Sequence, residues 1–181
     1  MPPVEPGPRG STRAAPRLLL ILAGVLLALR VAAGIYEHAH PAQTFDRVKW
    51  VGLEKAEARA RSLGLPVLYD FSAAWCGPCR SMENEVFCDK SDALFISTSF
   101  VPARVIDRRR EDGRNPAAVD SLQRRFGVDA FPTLVAVSPE TGKSEVLRGY
   151  PGHALAMKFL RRAYTKLWKP KVLEFGTDSI K

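Results

Sequence analysis

The chain has 181 residues, of which 46% are hydrophobic and 25% charged, and a formal net charge of +8. This length holds one domain of ordinary size plus an extension, and the composition excludes a disordered chain or a polytopic membrane protein. The basic residues form short clusters (Arg108 to Arg110, Arg124 with Arg125, Arg161 with Arg162) that are mixed with Glu111, Asp112, Asp120 and Asp129 and not interleaved with aromatic residues. That pattern argues for a solvated surface and against nucleic acid, with attraction to an anionic membrane or an acidic partner as the secondary reading.

Residues 1–17 are rich in Pro and Gly and carry Arg9, Arg13 and Arg17, after which LLLILAGVLLAL runs uncharged over 18–29. A basic segment before an apolar run is the signature of a signal sequence. The run alone, as a helix, spans about 18 Å, short of a hydrocarbon core of about 30 Å. Extending it to Tyr36 gives a spanning length but encloses Arg30, which can snorkel to one interface. Residues 18–36 therefore read as a signal anchor or, with cleavage after the small residues Val31, Ala32 and Ala33, as a signal peptide. Either reading keeps the N-terminus cytoplasmic and exports the remainder of the chain.

Residues 37–44 read as a tether and 45–168 as the folded domain, with 169–181 a polar tail. LEKAEARARSL, 53–63, is a run of strong helix formers that Gly64 stops. After Pro66, VLYDF suits a buried strand, and a helix is expected from Cys76 to about Phe87. FVPARVID, 100–107, reads as a second strand whose Pro102 points to a sheet edge. A charged loop comes next, then a helix over AAVDSLQRRF with Asn115 as cap and Pro116 in its first position. TLVAV and SEVLRG read as two further strands around the turn SPETGK, and 152–168 as an amphipathic helix with Leu155, Phe159, Leu160, Tyr164 and Leu167 near one face. This order predicts an α/β domain with a mixed central sheet covered by helices on both faces.

The chemistry concentrates in DFSAAWCGPC, 70–79. If the helix starts at Cys76, its sulfur meets unpaired backbone N–H groups and the positive end of the helix dipole, which favour a thiolate nucleophile. Cys79, one turn on, is placed to resolve a mixed disulfide, and Pro78 fits a first turn that has no N–H bond to lose. Half of a metal site needs a second ligand pair, and the sequence has no second CxxC or HxxxH; a static staple is disfavoured because so small a ring suits exchange better than reinforcement. Asp70 interrupts an apolar strand, where a carboxylate is costly unless it is paired or protonated; it reads either as a proton acceptor for the Cys79 thiol or as a strand-end residue reaching solvent.

DFSAAWCGPC followed by AFPT at 130–133 resembles the thioredoxin family over about residues 45–168, and the flanking LEKAEARARSLGLPVLYDF and SMENEVF are similar to the branch containing the C-terminal domain of the membrane thiol:disulfide interchange reductase. The resemblance implies a thioredoxin fold. It further implies that Cys76, Cys79 and Asp70 are catalytic and that Pro132 is cis opposite the cysteines. Substrate is then held by Trp75, Gly77, Pro78, Phe131, Pro132 and Thr133. The sequence departs from the family in having no lysine on the second strand to partner Asp70, with Arg104 as the substitute; in its charged loop at 108–116, a candidate partner surface; and in Ser72 and Ala74, where bulkier residues are common. Cys88 reads as a buried apolar cysteine, and His38, His40 and His153 as non-catalytic.

The expected function is an extracytoplasmic thiol:disulfide oxidoreductase that reduces protein disulfides, needs no cofactor and works as a monomer. It would face the periplasm of a bacterial envelope, anchored in the inner membrane and recharged by a membrane electron donor. Gly77-Pro78 matches thioredoxins of potential near about −270 mV rather than the oxidant at about −120 mV. The alternatives are a copper-binding assembly factor or metallochaperone using the same cysteines, and a tethered binding module whose thiols are incidental.

Overall fold

The computed structural model describes residues 14–39 and 46–168, which belong to two separate units divided between Gln43 and Thr44. The expected tail at 169–181 and most of the basic segment 1–17 and of the tether lie outside the described residues. The first unit contains helix α1, Ala14–Ala39, which begins before the apolar run and continues past Tyr36. Its window Leu18–Ile35 has a mean hydropathy of 2.5, long and apolar enough to cross a membrane, although a signal sequence meets the same test.

In the second unit, α2 (Leu53–Leu63) precedes β1 (Val67–Ala73), and α3 (Gly77–Met82) runs into a π-helical turn, Glu83–Phe87. Next come α4 (Lys90–Ser99), β2 (Val101–Asp107), the short α5 (Arg109–Asp112) and α6 (Ala117–Phe126); β3 (Thr133–Val137), β4 (Ser144–Arg148) and α7 (His153–Leu167) complete the unit. The sheet order is β2-β1-β3-β4, with β1 parallel to β2 and antiparallel to β3, and β3 antiparallel to β4. The mixed sheet expected from the element order is present, and β2 with Pro102 is an edge strand.

Alternation along β1 sorts the two cores, because successive strand residues face opposite sides. Val67, Tyr69 and Phe71 pack with Ala56 and Ala60 of α2 and Val119 of α6. Leu68 packs on the other side with Met82, Phe87, Ile96 and Leu160 from α3, the π turn, α4 and α7. The same alternation turns Asp70 toward the α3 side. Gly64, at φ +65°, closes α2 in the left-handed region that glycine tolerates without strain.

The helix expected from Cys76 to about Phe87 is present, α-helical to Met82 and π-helical from Glu83 to Phe87. Three other local expectations are corrected. KSDALFISTS, not anticipated as a helix, forms α4, because Asp89 caps it through the N–H groups of Ser91 and Asp92 and Ala93 and Ile96 are buried. Asn115 is not a helix cap: Pro116 occupies that position, and Asn115 is buried beneath the charged loop. Leu155 is exposed on the outer face of α7, whereas Phe159, Leu160 and Leu167 are buried. His153 has a structural contact, its Nε2 lying 2.6 Å from Asp92 Oδ2 and joining α7 to α4.

Candidate active site

At the end of β1 the chain turns through a hydrogen bond from the Cys76 N–H to the Ala73 carbonyl (3.1 Å), leaving Cys76 as the N-terminal cap of α3. Cys76 and Cys79 are joined by a disulfide, their Cα atoms 5.3 Å apart. The Cys79 N–H donates to Cys76 Sγ at 3.2 Å, the contact a thiolate at that position accepts once the bond is opened. Exposure does not separate the two sulfurs, since Cys76 is 2% exposed and Cys79 8%. The cap position does, because only Cys76 faces the unpaired N–H groups of the helix start.

Gly77 and Pro78 are exposed in the first turn, and Trp75 beside them is 46% exposed. Phe131 packs against both cysteines and meets the Trp75 ring edge to face at 6.0 Å. The Phe131–Pro132 peptide bond is cis. Pro132 and Thr133 are buried; the Pro132 carbonyl accepts from the Gly149 N–H (2.8 Å) and the Thr133 hydroxyl donates to the Ala130 carbonyl (2.8 Å). Thr133 thus serves the turn, while Phe131 packs against the cysteine cluster and joins it to the Trp75 ring.

Asp70 is 1% exposed. The parallel register sets it directly beside Arg104 on β2, whose Nε donates to Asp70 Oδ2 at 3.2 Å. Arg104 is therefore the ion-pair partner that the missing lysine left open. Its guanidinium also reaches Asp46 (2.7 Å) and Glu83 (3.4 Å) and lies over the Trp50 ring at 4.3 Å. Asp46 is itself held by the Trp50 indole N–H (2.6 Å) and the Val48 N–H (2.9 Å). One cation is thus shared among three carboxylates, and Asp70 Oδ1 is buried with no hydrogen-bond partner. Burial pushes the Asp70 carboxyl up to about 6; Arg104 opposes the rise, and Glu83 and Asp46 add to it. A cavity of about 310 Å³, lined among others by Asp70, Cys79, Glu83 and Arg104, brings this carboxyl and the Cys79 side of the disulfide to one space.

Nothing in the sequence singles out Glu83 or Asp46. Each is an ordinary surface-type acid until the π turn and the strand register bring it to Arg104. Cys88 is half-buried rather than fully buried, and its carbonyl accepts from Arg47 Nε (3.0 Å). Among the described residues no cluster of three or more His, Cys, Asp or Glu side chains is arranged to hold a metal ion.

The thioredoxin-like domain family matches residues 53–163. The chain belongs to that family. It is 33% identical over 108 residues to "Thiol:disulfide interchange protein DsbD 2" of Pseudomonas aeruginosa, a match covering 60% of this chain and 17% of that protein. It is also 33% identical over 145 residues to "Thiol:disulfide interchange protein DsbD" of Ralstonia nicotianae, covering 78% of this chain and 22% of the relative. The chain therefore corresponds to about a fifth of these relatives' length. A thioredoxin from Thermus thermophilus superposes with a TM-score of 0.53 at 27% identity, covering 66% of this chain and 89% of that one.

Proposed function

We propose that this thioredoxin-like protein is a thiol:disulfide oxidoreductase that reduces protein disulfides at the periplasmic face of a bacterial inner membrane, held there by α1. One observation carries the reading: an exchangeable cysteine pair caps a helix start, and a buried carboxyl of raised pKa shares a cavity with the second cysteine. The apolar α1 with arginines before it, and relatives whose name is thiol:disulfide interchange protein, support the location and the chemistry.

In the reduced protein, the Cys76 thiolate attacks one sulfur of a substrate disulfide, forming a mixed disulfide and releasing the other substrate sulfur as a thiolate that takes a proton from solvent. Asp70, ionised, accepts the Cys79 proton through the shared cavity, and the Cys79 thiolate attacks Cys76 Sγ. The second substrate sulfur is expelled as a thiolate that takes a proton from solvent, so the substrate leaves with two thiols, the protein keeps the disulfide and two electrons pass to the substrate. Trp75, Gly77, Pro78 and Phe131 flank the sulfur under attack, and the backbone beside Pro132 receives an extended substrate segment. Gly77-Pro78 supports reduction as the direction, and a membrane electron donor then returns the pair to the dithiol.

The test is the Cys79→Ser protein expressed in cells. It accumulates substrates linked through Cys76, visible as adducts that disappear on reduction and are absent from Cys76→Ser, Cys79→Ser. A Cys79→Ser protein that captures nothing through Cys76 overturns the proposal.

A further inference from the structure

The segment between β2 and α6 is built onto a buried polar clamp. Asp107, at the end of β2, accepts from Asn115 Nδ2 (2.7 Å), Gln123 Nε2 (2.8 Å) and the Arg109 N–H (3.1 Å), while Asn115 Oδ1 accepts from the Arg108 N–H (2.6 Å). Asp107, Asn115 and Gln123 are each less than a tenth exposed. Burial alone raises the Asp107 carboxyl, but the donors from Gln123, Asn115 and Arg109 outweigh it and hold the group below the usual carboxylate range. The clamp thus stays ionised and fixes both ends of the loop.

Within that loop, Arg108 is paired with Asp112 (2.6 Å) and Arg109 with Asp120 (2.7 Å). Arg110 is directed elsewhere: its guanidinium lies 5.1 Å from the centre of the Trp75 ring, beside the disulfide. On α3, the exposed Arg80 reaches back to the Ala74 carbonyl (3.0 Å), next to Trp75 on the other side of the cysteine pair in sequence. Among the described residues no carboxylate lies within ion-pair distance of Arg80 or Arg110. The acidic groups near this rim in sequence are Glu111, Asp112 and Asp129: Asp112 is paired with Arg108, whose charge Glu111 also feels, Asp129 is exposed and beyond ion-pair distance of either arginine, and Glu83 faces Arg104 in the cavity that Arg80 also lines.

We propose that Arg80 and Arg110 form a basic rim flanking the disulfide, Arg110 over the Trp75 ring and Arg80 at the cavity that Asp70 and Cys79 line, and that the protein partners docking there carry acidic residues beside the disulfide to be exchanged. The inference rests on the oxidoreductase reading above and adds a substrate class to it. The loop is anchored by a fully bonded buried network, so the arginine is delivered to Trp75 by structure rather than by chance exposure. Rim cations outside any ion pair act mainly on encounter with an oppositely charged partner.

The experiment uses the full chain, reduced, in single-turnover exchange with two synthetic peptides. Each is closed by one internal disulfide, and they are alike except that Asp and Glu flank the cysteines in one and Lys and Arg in the other. Each exchange converts the protein dithiol to its disulfide and the peptide disulfide to two thiols. The acidic peptide should react faster by about tenfold or more at low salt, with the ratio falling toward one as ionic strength rises. Arg80→Glu, Arg110→Glu should bring the ratio to one or invert it; each ratio is taken within one protein, so a general loss of activity does not mimic the effect. Equal rates in the unaltered protein, or a ratio insensitive to salt and to the double substitution, overturn the basic-rim proposal alone. Failure to exchange with either peptide and with a small aromatic disulfide overturns the oxidoreductase reading and the rim with it.

Discussion

Replacing Asp70 by Asn removes an ionisable group that the fold holds in an unfavourable place. Its carboxyl is raised from 3.8 to about 6, burial being the larger cause and Arg104 the opposing one. A rise of about two units corresponds to about 3 kcal/mol at roughly 1.36 kcal/mol per unit. The sign is set by proton binding. Between pH 3.8 and about 6 the folded protein holds the Asp70 proton more tightly than the unfolded chain does, so stability falls as pH rises and stays reduced above 6. The asparagine amide has no charge to desolvate, and Arg104 retains Asp46 at 2.7 Å and Glu83 at 3.4 Å, so no cation is orphaned. Asp70→Asn is therefore expected to stabilise the oxidised protein at pH 7 by up to about 3 kcal/mol. Urea unfolding of both proteins across pH 3.5 to 8 reads the difference, which should shrink below about pH 6 and vanish near the unfolded value of 3.8. A substitution that destabilises at pH 7, or whose gain is independent of pH, refutes the assignment of Asp70 as a buried carboxylate of raised pKa.

Two further outcomes are expected from the same contacts. Arg104→Met keeps an apolar stem over Trp50 but removes the group that lowers the Asp70 pKa, so the Asp70 titration followed by carboxyl-carbon NMR should move upward from about 6; no movement, or a downward one, refutes the pairing. Asn115→Ala leaves Asp107 Oδ2 with only Gln123 and opens the loop base, with an expected loss of about 1–3 kcal/mol in urea unfolding and increased proteolysis within 108–114; unchanged stability would mean that the clamp does not hold the loop.

Much of the fold was legible because its elements announce themselves locally. LEKAEARARSL before Gly64, the apolar VLYDF and TLVAV, and Pro102 marking an edge strand each carry their own signal, and each lies where that signal put it. KSDALFISTS did not, since Phe95, Ile96 and Thr98 weaken a helical reading, and the helix exists because Asp89 caps it and the core receives Ala93 and Ile96. Asn115 shows the reverse error: a residue with good capping chemistry is drawn into a buried network because the end of β2 offers Asp107 as a stronger partner.

The sequence by itself determined the cysteine pair at a helix start, the acid six residues before it and the apolar run ahead of the domain, because spacing and polarity along one chain are sufficient to show them. Only the tertiary structure decided what these groups do to one another. Strand register placed Arg104 against Asp70, the π turn turned Glu83 to the same guanidinium, and the Asp107 clamp carried Arg110 to Trp75. Electrostatic environment depends on distance and burial, which residues far apart in the chain acquire only when the sheet and its covering helices pack.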